Sequence, residues 1–195
     1  MPHPTVHTVV APPLHVDEWL NTPKPIDLVD LRGKVVLLYA FQMFCPGCLS
    51  HGLPQAERVH RMFREDDVVV IGLHTVFEHR EVTGPDALRA FNQEYRWSFP
   101  IGIDRPSADG IIPMTMREYA LSGTPSLVLL DRLGRIRLHY FGSIDDLALG
   151  AAIGRLLSED AGQEGSYPAD GAEAPAPASE TGCDSGTCSA PPAAA

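Results

Sequence analysis

From Val35 to Phe41 the chain reads Val-Val-Leu-Leu-Tyr-Ala-Phe, without a charged residue. Seven residues make a strand and are too few to cross a membrane. A strand that is apolar on both faces has to be covered on both faces. This run therefore excludes an open sheet with one wet face and predicts a layered α/β domain. Asp67–Leu73 repeats the demand. Between the two, Leu49, Leu53, Ala56, Val59 and Phe63 recur at helical spacing to about Arg64, with Gly52-Leu53-Pro54 expected to bend the helix.

The remaining elements follow the same logic. Thr83-Gly-Pro-Asp86 predicts a helix start with Thr83 as cap. Residues 99–103 read as a short strand, 104–114 as a loop and 116–121 as a short helix. Residues 126–131 and 135–140 flank Arg132-Leu-Gly134 as a hairpin. Residues 145–157 form a closing helix with Leu147, Ile153, Leu156 and Leu157 predicted to face inward. This order implies a mixed sheet with helices on both faces.

The 195 residues hold 25 acids and 15 Lys or Arg, a net charge of −10. That argues against nucleic-acid and anionic-membrane partners. The charge is uneven, however. Residues 158–195 contain seven acids, no base and a run of Ala-Pro steps. Such a composition cannot bury enough apolar surface to offset its ordering entropy, so 158–195 is predicted to be a flexible, disordered tail. Residues 1–24 are expected to be an extension packing on a domain at 25–157. With no basic leader and no long apolar stretch, the expected location is the cytoplasm, without membrane attachment. Cysteines there are reactive or metal-binding more often than structural.

Phe44-Cys45-Pro-Gly-Cys48 follows the first buried strand and opens a helix. Two cysteines three apart at a helix start can close a disulfide. The first lies where unpaired backbone N–H groups and the helix dipole stabilise a thiolate. Cys45 is thus the candidate nucleophile and Cys48 the resolving thiol. A zinc site would need further ligands, and no second cysteine pair falls within the domain. No metal or other cofactor is expected beyond the dithiol itself.

About 80 residues later, Gly123-Thr-Pro-Ser126 opens a strand. Here the sequence resembles the thioredoxin superfamily, whose marks are a Cys-x-x-Cys at a strand–helix junction and a cis-proline opening a later strand. With Leu31-Arg-Gly-Lys-Val-Val-Leu-Leu38 ahead of the motif, the likeness over about residues 25–157 is to the redoxin branch: TlpA/ResA-type thiol–disulfide oxidoreductases and peroxiredoxin-like proteins. The resemblance implies a thioredoxin-like fold and a cis Pro125 packed beside Cys45. Phe44, Thr124 and Pro125 would then contact substrate. The implied partners are a disulfide-bearing protein or small oxidant and a thiol reductant or reductase.

The departures matter too. Phe44 stands where the family usually has Trp, and Tyr39 where thioredoxin has a buried acid. Pro54 lies six residues after Cys48 rather than five, which predicts an extra residue in the helix start. His51 holds a position often acidic; it is either a proton shuttle for Cys48 or an exposed helix histidine. Peroxiredoxins carry Thr or Ser three residues before the attacking cysteine, where this chain has Gln42, so a thiol peroxidase is the alternative reading. His74, Glu78 and His79 match no zinc-protease spacing and read as loop residues.

The tail holds a second pair, Cys183 and Cys188, among small residues. It reads as a relay dithiol for Cys45/Cys48, as a metal-capturing pair, or as a passive end. A metal-binding or redox-sensing thiol module without turnover is the remaining functional alternative.

Overall fold

The computed structural model describes residues 9–159 and the backbone of 183–184 and 187–189. All seven residues of β2 (Val35–Phe41) are buried. The strand pairs in parallel with β3 (Val68–His74) and, on its other side, antiparallel with β6 (Ser126–Leu130). β3 pairs in parallel with β4 (Ile101–Asp104), and β6 antiparallel with β7 (Ile136–Phe141). β1 (Val16–Leu20) adds antiparallel to β4, giving a mixed six-stranded sheet in the order β1-β4-β3-β2-β6-β7. α1 (Leu53–Met62) packs on β2 and β3, and α4 (Asp146–Ser158) on β2. This is a thioredoxin-like α/β fold with helices flanking the central sheet, as the sequence predicts.

β1 is an element the sequence reading lacks. The segment before residue 25 does more than pack on the domain; it supplies an edge strand. Gly102 makes room for it, because a Cβ there would lie 2.8 Å from Val16 Cγ2. Ahead of β1, Ala11 N–H donates to Gly134 O at 2.8 Å, tying the chain start to the β6–β7 turn.

Three local expectations need correcting. Thr83 does not cap α2 (Pro85–Tyr95): Gly84 holds the cap position, and the Thr83 hydroxyl donates to His79 O at 2.8 Å. The predicted helix 116–121 lies two residues earlier, as α3 (Met114–Glu118), because both carboxylate oxygens of Asp104 accept the Thr115 and Met116 N–H groups at its start. Leu147 is 82% exposed. With Asp145 capping α4, the buried stripe is Leu149, Ala152, Ile153 and Leu156, and Leu147 falls outside it.

Of the tail, the described parts beyond Glu159 are β8 (Cys183–Asp184) and β9 (Thr187–Ser189). They pair antiparallel with each other, and β9 pairs antiparallel with β5 (Gly123–Thr124). The rest of the predicted flexible tail lies outside the described residues.

Candidate active site

The site begins where β2 runs out. Cys45 N–H donates to Gln42 O at 3.2 Å, closing a turn, and Leu49 N–H donates to Cys45 O at 3.2 Å, opening the helix. Residues Cys48–Gly52 then form a π-turn, with Leu53 N–H donating to Cys48 O, before α1 continues. A π-turn absorbs one extra residue in a helix. It accounts for the six-residue spacing from Cys48 to Pro54, and it leaves Pro54 in the first turn of α1, where the missing N–H costs no bond.

The turn aims backbone at sulfur. Cys48 N–H donates to Cys45 Sγ at 3.4 Å, and the Cys45 thiol donates to Thr124 O at 3.3 Å. An N–H donor at a helix start favours the thiolate of Cys45. The Thr124–Pro125 peptide is cis. Pro125 separates β5 from β6, Ser126 Oγ donates to Gly123 O at 2.7 Å, and Pro125 O accepts Gly142 N–H at 2.8 Å. The structure thus brings Cys45, Cys48, Thr124 and Pro125 together. Cys45, Cys48 and Thr124 are fully buried, whereas the neighbouring Phe44 is 56% exposed.

Burial, and after it the neighbouring Cys45, pushes the Cys48 thiol well above its usual range, against a lowering contribution from the Gln42 backbone. Cys48 therefore keeps its proton until something takes it. Beneath the pair lies Tyr39, fully buried, its hydroxyl without a hydrogen-bond partner among the described residues. Burial first, then the proximity of Cys48 and Cys45, pushes that phenol up as well.

Other residues singled out in the sequence are spent elsewhere. His51 Nε2 lies 2.9 Å from Ile144 O, which also accepts from Gln55 Nε2 at 3.0 Å. His51 thus pins the approach to α4 and makes no hydrogen bond to Cys48, so the geometry does not favour it as a shuttle. His74 is buried against Phe41, with neither ring nitrogen partnered among the described residues, and burial pushes it down to about 4. His79 meets the Phe44 ring edge-on at 6.0 Å. Gln42 is a brace the sequence did not reveal. Its Oε1 accepts from Phe77 N–H and Glu78 N–H, each at 3.2 Å, and its Nε2 donates to Glu78 Oε2 at 3.3 Å.

The chain is similar to several known proteins. A solved thioredoxin-like superfamily protein matches it at 51% identity and a TM-score of 0.76, covering 78% of this chain and 99% of that one. A thiol-disulfide isomerase from Corynebacterium glutamicum matches at 51% identity and a TM-score of 0.74, covering 77% and 98%. Protein DipZ of Mycobacterium tuberculosis is 33% identical over 144 residues, 72% of this chain. The chain spans only about one fifth of DipZ, 19% of its length. The AhpC/TSA family model matches residues 10–139. On these grounds the chain belongs to the AhpC/TSA family.

Proposed function

We propose that the protein is a thiol–disulfide oxidoreductase that uses Cys45 and Cys48 to reduce disulfides. The observation that carries this reading is the convergence on one sulfur: Cys45 Sγ accepts from the Cys48 amide and donates to Thr124 O beside the cis peptide. Cys45 loses its proton and attacks one sulfur of a substrate disulfide. A Cys45–substrate disulfide forms, and the other substrate sulfur leaves as a thiolate. Cys48 then loses its proton and attacks Cys45 Sγ, closing Cys45–Cys48 and releasing the second substrate thiolate. A thiol reductant returns the pair to the dithiol. In this reading an extended substrate chain pairs with the Thr124 backbone in place of β9, and exposed Phe44 offers it an apolar contact.

A peroxidase reading is weaker here. Peroxiredoxins place Thr or Ser three residues before the attacking sulfur; here that position is Gln42, whose amide already braces Phe77 and Glu78.

Turnover of a disulfide peptide and of hydrogen peroxide by wild type, Cys45→Ser and Cys48→Ser tests the assignment. Cys45→Ser is expected to abolish disulfide reduction, and Cys48→Ser to stall as a mixed disulfide. Fast peroxide consumption by a wild type that ignores the peptide would overturn it.

A further inference from the structure

The edge at which an outside substrate would pair is already occupied by this chain. β9 lies antiparallel to β5, with Cys188 opposite Thr124 and Ser189 opposite Gly123. Thr124 is the residue whose carbonyl receives the Cys45 thiol. β8 continues the small sheet, with Cys183 opposite Cys188 and Asp184 opposite Thr187.

This register has two chemical consequences. Directly opposed residues of an antiparallel pair share a face and hold their Cα atoms about 4.5–5.5 Å apart. That lies within the roughly 4.4–6.8 Å that a disulfide spans, so Cys183 and Cys188 stand at a spacing that can be bridged. In addition, main-chain pairing to a sheet edge is a recurring way of seating an extended peptide. Cys188 thus holds the register position of a substrate cysteine against Thr124. Cys45 itself is fully buried in this arrangement.

We propose that the Cys183–Cys188 hairpin is the protein's own redox partner, docked on the Thr124 edge and exchanging electrons with Cys45 through Cys188. The inference rests on the oxidoreductase reading above. Cys45 thiolate attacks Cys188 Sγ of the Cys183–Cys188 disulfide; the Cys45–Cys188 bond forms and Cys183 leaves as a thiolate. Cys48 thiolate then attacks Cys45 Sγ, closing Cys45–Cys48 and freeing Cys188 as a thiolate. Two electrons pass from the domain dithiol to the tail, and no further reactant is required. The reverse exchange reduces the domain from a tail dithiol. An outside disulfide or dithiol draws on the pair that the exchange leaves ready.

The test traps the intermediate in the full-length chain. Cys48→Ser is first oxidised with one equivalent of diamide under denaturant-free conditions. Its linkages are then read by peptide mass spectrometry, in the absence and presence of a disulfide peptide. The expected result is an intrachain Cys45–Cys188 linkage in excess of Cys45–Cys183. It should persist until the added peptide reaches the order of 1 mM, the effective concentration of a tethered partner. A Cys45–peptide adduct with no intrachain linkage would overturn the tail proposal while leaving the Cys45 chemistry standing. A predominant Cys45–Cys183 linkage would overturn the register. Neither adduct, in a chain whose circular dichroism matches wild type and whose Cys183→Ser derivative also yields no Cys45–Cys188 bond, would overturn both readings.

Discussion

Tyr39 and Gly52 touch so closely that only hydrogen fits between the phenol and the Gly52 Cα. A Cβ at position 52 would lie 2.5 Å from Tyr39 Cε1 and closer still to Oη. Gly52 is helical, at φ −62° and ψ −58°, so its backbone needs no glycine; the space does. Tyr39 cannot withdraw, because it is fully buried in the central strand.

Gly52→Ala is therefore expected to destabilise the fold by about 1–3 kcal/mol through overpacking. Urea unfolding gives the value. Tyr39→Leu in the same chain should recover part of the loss. Strictly additive effects of the two substitutions would show that the contact is not the cause.

Tyr39→Phe tests the other half of the relationship. The hydroxyl is buried without a partner among the described residues, so its removal lifts a desolvation penalty of about 1 kcal/mol. The expected outcome is an unchanged or higher urea midpoint. A loss above about 1 kcal/mol would mean that the hydroxyl has a bonding role.

His74 predicts acid sensitivity. Burial holds its folded value near 4, below the unfolded value of about 6.5. The folded state resists the proton that the unfolded chain accepts. Stability from this group is therefore complete above pH 6.5 and is lost as pH falls toward 4, by up to about 3 kcal/mol. Unfolding curves across that window should slope for wild type and flatten for His74→Leu. Parallel slopes in the two proteins would sink the idea.

Cys48 gives the opposite limb. Its folded value is raised by burial, so the unfolded thiol ionises first. Stability of the reduced protein is full below about pH 8.5 and declines above it as the unfolded chain releases that proton. Cys48→Ser should shrink this alkaline decline, measured as urea midpoints under strong reductant. An unchanged decline would assign it to other groups.

Gln42→Ala strips the acceptor from two backbone N–H groups, Phe77 and Glu78. The expected cost is about 2 kcal/mol, with faster amide exchange at both residues. Exchange unchanged at residues 77 and 78 would show that the brace is dispensable.

How much of this could be read from the residues alone depends on where each signal resides. β2 and β3 announce themselves because a strand buried on both faces is apolar throughout. The π-turn was legible as a count, six residues instead of five before Pro54. β1 was not legible, because Val16-Asp-Glu-Trp-Leu is an edge strand of mixed polarity whose partner β4 lies some 80 residues away. His51 carried a plausible local role, but its actual partner, Ile144 O, is set by tertiary packing. The Cys183/Cys188 spacing suggested a pair, whereas its alignment with Thr124 is a long-range register with no local signature.

The pairing of Thr124 with Cys188 lies within one chain, and that fixes its kinetic order. Exchange across it is unimolecular, so its half-time stays constant on dilution. Exchange with a separate disulfide slows as that partner is diluted. If the tail exchanges as proposed, the first redox step of each molecule is independent of how concentrated its partners are.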